Sequence, residues 1–132
     1  MPRRSQCPIS FTLDLIGDKW SLLILRDIIL FAKKYYHEFE TSPESISTNI
    51  LADRLKKLEA AQLILRAQDP ENKKRVIYSP TPAALDLIPL LVEMLIWGSK
   101  YDEKSKVSEE RVKKIKKNKQ AFIKKVRSSF NL

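Results

Sequence analysis

The sequence predicts a mainly α-helical fold with one small β-hairpin, and three observations lead to this prediction. The segment ISTNILADRLKKLEAAQ, residues 46–62, places Leu51, Leu55 and Leu58 on one stripe at helical spacing. Residues 19–31 are apolar almost all round, which is typical of a central, buried helix. The segments LILRAQD and KRVIYSP read as two short strands with DPEN as the turn between them.

Helix-start and helix-stop signals predict the three elements that precede the leucine stripe. Pro8 stands at the first position of a short helix that runs to Ile16. Asp18 caps a second helix, from residue 19 to about residue 31. The segment HEFETSP makes a third, short helix that ends before Pro43, because the residue before a proline disfavours helical backbone.

The later elements follow from the same signals. Ser47 or a neighbour caps the fourth helix, which carries the leucine stripe. After the two strands, Pro82 starts a fifth helix that Pro89 should break or kink before it runs to Trp97. Three helices, a helix with a polar first turn, two strands and a closing helix form the order of a winged helix-turn-helix domain. In that fold the fourth helix enters the DNA major groove with its N-terminal end first.

Basic residues are concentrated at the C-terminal end of the chain. Residues 1–99 hold 13 Lys and Arg against 12 Asp and Glu, a net charge of +1. Residues 100–132 hold 12 basic against 4 acidic side chains, a net charge of +8. We therefore predict a winged-helix DNA-binding and dimerisation domain over residues 1–104 and a basic amphipathic C-terminal helix over residues 105–132. The high net charge by itself does not show that the folded core binds nucleic acid.

Composition argues against several classes of protein. One Cys and one His are too few for a zinc site or a disulfide framework, and a lone Cys suits the reducing cytoplasm. Two glycines cannot supply a phosphate-binding loop. Asp86, Pro89 and Glu93 interrupt the most apolar stretch, which argues against a membrane span. With no paired acid and base, we expect a cytoplasmic protein that is not an enzyme and needs no metal or cofactor.

The chain also resembles the HxlR-type transcriptional regulators, a branch of the MarR-like winged-helix proteins. The resemblance covers roughly residues 7 to 100. It is carried by CP at 7–8, LDLIGDKWSLLILRD at 13–27, ISTNILADRLKKLEAAQLI at 46–64, VIYSPTP at 76–82 and IPLLVEMLIWG at 88–98. It implies a homodimer that binds a palindromic operator in double-stranded DNA and responds to a small-molecule or electrophile effector.

The sequence departs from the family pattern at two places. FAKKYY stands where the family usually has a short Gly-Pro turn, and Gln62 stands where a glycine commonly ends the recognition helix. Neither change removes a DNA-facing position. The first predicted helix and the last are more apolar than one small core needs, which suits family dimers that join through their terminal helices.

Eight residues are candidates for DNA contact. Thr48 and Asn49 are the strongest candidates for base edges, since Asn can pair with adenine in the major groove, whereas Ser47 suits a capping role equally well. Lys56 and the three cations of the turn are candidates for phosphate contact, and Arg54 either touches phosphate or pairs with an acidic neighbour. The full set is Ser47, Thr48, Asn49, Arg54, Lys56, Lys73, Lys74 and Arg75.

Cys7 is a candidate redox sensor. It directly precedes Pro8, so its thiol lies at the positive end of a helix dipole, close in sequence to Arg3 and Arg4. Some HxlR-type proteins use a Cys at this position to sense oxidants or electrophiles. The alternative is a small buried hydrophobic residue at the dimer seam.

Two alternatives remain open from the residues alone. The C-terminal segment SEERVKKIKKNKQAFIKKVRSSF either packs on its own protein and adds contacts to the DNA backbone, or docks on a partner protein or an anionic membrane. The near-neutral charge of residues 1–99 also suits a winged-helix protein–protein adaptor without sequence-specific DNA binding.

Overall fold

Eight helices and two strands are present within residues 3–130, which are the residues that this computed structural model describes. In chain order they are α1 (Pro8–Ile16), α2 (Lys19–Ile29), α3 (Tyr36–Glu40), α4 (Thr48–Ala60), β1 (Ile64–Gln68), β2 (Val76–Pro80), α5 (Pro82–Leu85), α6 (Ile88–Tyr101), α7 (Glu109–Lys117) and α8 (Lys119–Ser128). The predicted mainly α-helical fold with a β-hairpin wing is confirmed.

The predicted start signals operate at three helices. Pro8 occupies the first turn of α1, where its missing N–H costs no hydrogen bond. The carboxylate of Asp18 accepts a 3.0 Å hydrogen bond from the backbone N–H of Ser21 at the start of α2. The hydroxyl of Ser47 accepts from the backbone N–H of Ile50 at 3.3 Å and caps α4. Local sequence therefore sets where these helices begin.

The strands pair in antiparallel register, with Ile64 opposite Pro80 and Gln68 opposite Val76. Two backbone hydrogen bonds close the connection. The N–H of Asp69 donates to the carbonyl of Arg75 at 3.0 Å, and the N–H of Arg75 donates to the carbonyl of Asn72 at 2.9 Å. The hairpin is thus a closed wing whose turn spans residues 69–75.

The described residues divide into two compact units after Ala84. The core of the first unit comes from α2, α3, α4 and the hairpin, and the leucine stripe of α4 is buried as predicted, with exposures of 0%, 2% and 1% for Leu51, Leu55 and Leu58. Burying three leucines stabilises the attachment of α4 by roughly 1.5–3 kcal/mol for each side chain.

The second unit consists of α6, α7 and α8, with α5 at the division between the units. Both C-terminal helices pack on α6, Ile115 is buried, and the side chains of Lys119 and Glu93 form a 2.6 Å ion pair. The predicted boundary after residue 104 does not coincide with this division, because α6 groups with the C-terminal segment.

The C-terminal segment is two helices rather than the single helix predicted from its periodicity. Asn118 interrupts it with a non-helical backbone, at φ −147° and ψ 79°, and its side chain accepts a 3.1 Å hydrogen bond from the N–H of Ala121. An Asn side chain that caps the following helix competes with continuation of the preceding one. A periodicity that passes through residue 118 does not reveal this competition.

The apolar stretch at residues 82–101 was predicted to break near Pro89, and it does. Helix α5 ends at Leu85, and α6 begins at Ile88 with Pro89 in its first turn. By length and composition alone this stretch is apolar enough to cross a membrane. One such stretch is weak evidence for a span, because core helices of ordinary domains have the same composition.

Candidate nucleic-acid interface

The first turn of α4 presents small polar side chains to solvent. Ser47, Thr48 and Asn49 are all exposed. The Ser47 hydroxyl caps the helix, whereas the side chains of Thr48 and Asn49 make no hydrogen bond to any residue within 3–130. The N-terminus of a helix also carries a partial positive charge and free N–H groups. The side chains of this turn can therefore donate hydrogen bonds to a ligand and accept them from it, without first breaking hydrogen bonds inside the protein.

Arg54 fastens α4 to the start of α2. Its Nε donates to the carboxylate of Asp18 at 2.9 Å, and an Nη donates to Asp53 at 2.6 Å. These two hydrogen bonds, that to Asp18 foremost, raise the pKa of Arg54. Burial alone would raise the pKa of Asp18, but hydrogen bonds from Ser21 and Arg54 outweigh it and lower that pKa overall. Arg54 thus pairs with acidic neighbours, one of its two predicted alternatives.

A buried carboxylate holds the turn between α3 and α4 against α2. Asp27 is 2% exposed and accepts hydrogen bonds from Ser42, from Lys33 at 3.3 Å and from Arg26 at 2.7 Å. Arg26 also forms a two-pronged pair with Glu44, at 2.7 and 2.9 Å. The hydrogen bond from Arg26 lowers the pKa of Glu44. This network fixes where α4 begins relative to α2.

Tyr36 supports the first turn of α4 from α3. Its hydroxyl donates a 3.3 Å hydrogen bond to the backbone carbonyl of Thr48. Burial is the largest effect on this phenol and raises the pKa of Tyr36. Sequence reasoning missed this contact. The available signal was the FAKKYY segment, which departs from the family pattern and ends at Tyr36.

The tip of the wing carries two free cations. Lys73 and Lys74 are exposed, and neither forms an ion pair with another residue in the described range. Their backbone is ordered by side chains of the hairpin. Gln68 donates to the carbonyl of Lys73 at 2.7 Å, and Asn72 accepts from the N–H of Lys74 at 3.1 Å. Lys56 on α4 is likewise exposed and unpaired among these residues. Such lysines suit contact with phosphate.

Arg75 lies at the base of the wing, where it contacts other protein groups. Its guanidinium donates to Asp69 at 3.0 Å and lies 4.4 Å from the ring centroid of Tyr35. Asp69 is 3% exposed and also accepts from the Tyr35 hydroxyl at 3.3 Å. The N–H of Glu71 donates to the Asp69 carboxylate, and this bond is the main reason why its pKa is lowered. Sequence reasoning did not find Tyr35 or Asp69.

Cys7 is exposed at the N-terminal end of α1, where its backbone carbonyl accepts from the N–H of Phe11 at 3.0 Å. The two neighbouring arginines engage other groups. Arg4 lies 3.3 Å from the carboxylate of Asp14, and the Arg3 guanidinium stacks 5.1 Å from the ring centroid of Phe11. The thiol is therefore accessible, while part of the positive potential expected beside it is offset by Asp14.

Several large apolar side chains are exposed on α1 and on α6. On α1 these are Ile9 at 72%, Phe11 at 45% and Leu13 at 59%, with Leu15 at 39%. On α6 they are Leu90 at 39%, Met94 at 46%, Trp97 at 68% and Tyr101 at 62%. Large apolar patches exposed on a protein surface often mark interaction sites. In the part of the chain that the structure describes, no cluster of His, Cys, Asp and Glu could hold a metal ion.

Comparisons with known proteins show the family to which the chain is similar. A family model described as HxlR-like helix-turn-helix matches residues 15–106. The chain is 34% identical over 97 residues to YybR, an uncharacterized HTH-type transcriptional regulator of Bacillus subtilis, covering 74% of this chain and 77% of that protein. It is 32% identical over 100 residues to the HTH-type transcriptional regulator YodB of the same organism, covering 75% and 88%.

The fold is similar to that of a solved structure, the redox regulator HypR in its oxidized form. The TM-score is 0.64 and the identity 32%, over 71% of this chain and 96% of that one. These relatives are transcriptional regulators rather than enzymes. The matched range ends at residue 106, so α7 and α8 lie outside the family model.

Proposed function

We propose that this chain, a transcriptional regulator that belongs to the HxlR-like helix-turn-helix family, acts as a homodimer on a palindromic operator in double-stranded DNA. The observation that carries the proposal is the first turn of α4. The side chains of Thr48 and Asn49 are exposed and have no hydrogen-bonding partner among the described residues, while the rest of the helix is fastened by three buried leucines and Arg54. In a winged helix-turn-helix protein this end of the helix faces the bases.

We assign different roles to the predicted site residues. Thr48 and Asn49 read base edges, and Ser47 contributes mainly as the helix cap. Lys56, Lys73 and Lys74 contact phosphates, since their charges are free for a ligand. Arg54 and Arg75 are positioning residues, because each already pairs with carboxylates of the fold. They orient α4 and the wing.

The exposed apolar side chains of α1 and the exposed apolar face of α6 support the homodimer. Each helix presents several side chains that water would otherwise surround, and a second copy of the chain is the partner that the family resemblance suggests. A single winged helix makes few base contacts, whereas two copies double them. A twofold axis also matches an operator whose half-sites are inverted repeats.

Selection of bound sites from random duplex DNA tests the proposal. We expect an inverted repeat whose half-site centres lie about 10 base pairs apart, or a small multiple of that distance. Enrichment of a site without dyad symmetry would contradict the homodimer. A pool without any enriched sequence would favour the adaptor alternative, for which the net charge of +1 in residues 1–99 is the supporting observation.

We further propose that Cys7 is where an oxidant or electrophile acts on this regulator. Its exposure and its position at the start of α1 support the proposal, as does the similarity to a protein described as a redox regulator. Alkylation of Cys7 followed by measurement of operator affinity tests it, with Cys7→Ser as the unreactive control. Unchanged affinity after complete alkylation would remove Cys7 from the mechanism.

A further inference from the structure

The helices α7 and α8 enclose an open groove with a cationic rim. The groove has a volume of about 960 Å³, and Ile115, Ala121 and Phe122 are among its lining residues. Four cations line it, Arg111, Lys114, Lys117 and Lys125, against one carboxylate, Glu110. We call these four residues the basic groove. They lie outside the range matched by the family model.

The charges of the basic groove are available to a ligand. Helices α7 and α8 carry nine Lys and Arg, and two of these form ion pairs within the described part of the chain. Lys119 pairs with Glu93 and ties α8 to α6, and Arg127 pairs with Asp86, which lies between α5 and α6. The four cations of the basic groove are all exposed. The internal pairs thus hold the helices in place and leave the groove positively charged.

Most of the large apolar side chains of α7 and α8 are partly or fully buried. Ile115 is buried, and Val112, Phe122, Ile123 and Val126 are half-buried as the two helices pack on α6. A helix that binds a membrane surface has to insert its apolar face, and here that face is largely used in packing. A protein partner is disfavoured as well, because the centres of protein interfaces are depleted in Lys.

Exposed lysines and an arginine spaced along two helices suit a repeated, exposed anion. Arg111, Lys114 and Lys117 follow one another at three-residue intervals on α7, so they span roughly 9 Å along the helix. Phe122 is the aromatic residue of the groove lining and is half-buried, so it offers little surface on which single-stranded bases could stack. The phosphate backbone of a duplex fits these features.

We propose that the basic groove binds the phosphate backbone of duplex DNA independently of sequence, in addition to the base-reading turn of α4. The inference rests on the proposed function in one respect, since both sites bind the same kind of partner. It adds a second contact that the matched family range does not contain. Its energetic signature is counterion release, so its contribution to affinity decreases as salt rises.

Substitutions of the cations by glutamine remove the positive charge of the basic groove and leave the buried Ile115 in place. The groove variant is Arg111→Gln, Lys114→Gln, Lys117→Gln and Lys125→Gln. The control variant is Lys100→Gln, Lys104→Gln, Lys106→Gln and Lys113→Gln, which removes the same charge from the same unit at exposed positions that do not line the groove. The probe is a 30-base-pair duplex of mixed sequence without the selected operator, followed by fluorescence anisotropy between 50 and 300 mM salt.

We expect the groove variant to lose about tenfold or more in affinity near 100 mM salt and to reduce the salt slope by about 2–4 for each chain. The control variant should lose about threefold or less. Equal losses in the two variants would overturn the proposal, because net charge alone would then explain them. Binding of wild-type protein to phosphatidylserine vesicles, lost in the groove variant while duplex binding is kept, would also overturn it.

Failure of the inference is distinguishable from failure of the proposed function. If the groove variant keeps both the affinity and the salt slope of wild type on the selected operator and on mixed duplex, the groove is not a DNA site, whereas the regulator assignment stands. If the groove variant with four substitutions does not unfold cooperatively, the double variant Lys114→Gln and Lys117→Gln replaces it. We then expect about half the change in salt slope.

Discussion

The basic side chains of the first unit and those of α7 and α8 are used differently. Of the 13 Lys and Arg in the first unit, six form ion pairs among the described residues. In α7 and α8 two of nine do so. In the first unit nearly half of the cations are therefore paired, whereas the C-terminal helices leave most of their cations unpaired. The net charge of a region therefore does not show how many of its cations are free to bind a ligand.

The difference also lies in burial. Asp27, which holds the turn before α4, has a side chain that is 3% exposed, whereas the side chain of Asp86, which pairs with Arg127, is 71% exposed. A buried ion pair is costly to break from one side, because the remaining charges stay desolvated, while an exposed pair contributes little. Breaking the ion pairs that position α4 should therefore cost more stability than breaking the ion pair of Asp86 that holds α8.

The largest expected effect contrasts these two carboxylates directly. Asp27→Ala should destabilise the protein by about 3–5 kcal/mol, because Arg26 and Lys33 lose their shared buried partner. Asp86→Ala, the matched control, should cost less than about 1 kcal/mol. Urea unfolding followed by circular dichroism measures both free energies. Similar costs for the two variants would erase the proposed contrast.

The next effect separates base reading from phosphate contact. Asn49→Ala should weaken binding to the selected operator by about 1–3 kcal/mol and relax specificity at one position in each half-site. Lys74→Ala should weaken binding to all sequences alike and lower the salt slope by about 1. Titrations of operator and mixed duplex at several salt concentrations distinguish them. A sequence preference that survives Asn49→Ala would refute the assignment of α4 to the bases.

A smaller effect concerns the pH dependence of stability through Glu44. Its pKa is lowered in the folded protein by the hydrogen bond from Arg26, so the pair stabilises the fold above the ordinary pKa of a glutamate. As pH falls from that value through the folded-state pKa, the unfolded chain binds a proton first and this stability, about 1 kcal/mol or less, is lost.

Unfolding free energies between about pH 6 and pH 3 check this expectation. In Glu44→Gln the part of the pH dependence due to Glu44 should disappear. Glu93→Gln, which interrupts the exposed pair with Lys119 on α8, is the control for loss of an exposed ion pair and should change the free energy of unfolding by less than about 1 kcal/mol. A Glu44→Gln profile that still matches wild type would show that Arg26 holds the turn without net help from this carboxylate.

The smallest expected effect lies at the end of α4. Gln62 has φ 61°, a left-handed conformation that glycine adopts without steric cost. Gln62→Gly should therefore stabilise the protein by about 0.5–1 kcal/mol. Ala52→Gly, inside α4, should instead destabilise it by about 1 kcal/mol. Thermal unfolding of both variants measures the two signs, and destabilisation by Gln62→Gly would contradict this reading.

Much of the fold could be predicted from local sequence. Asp18 and Ser47 mark helix starts through hydrogen bonds to a backbone N–H three residues later, and Pro8 does so through its own ring, so the effect of each is visible in a short window. The leucine stripe of α4 identifies its buried face for the same reason, since helical periodicity is a local property. Gln62 shows the limit of such reading, because the residue differs from the expected glycine while the backbone adopts the glycine-like conformation.

The candidate site was predicted less completely. The sequence indicates the exposed turn at Thr48 and Asn49 and the free lysines of the wing. A helix start and a turn can be recognised from neighbouring residues alone, without knowledge of any distant partner. It does not reveal that Arg75 stacks on Tyr35, or that Tyr36 touches Thr48. These contacts join residues 12 to 40 positions apart, and nothing in a local pattern distinguishes them from solvated side chains.

The sequence by itself determined the order of the elements, the buried face of α4 and the accumulation of positive charge after residue 99. The tertiary structure decided which charges are free. It paired Arg54 with Asp18 and Arg75 with Asp69, and it grouped α6 with two C-terminal helices that Asn118 separates. The physical reason is range. Helix caps and periodicity act within a few residues, whereas an ion pair depends on where the folded backbone places two distant side chains.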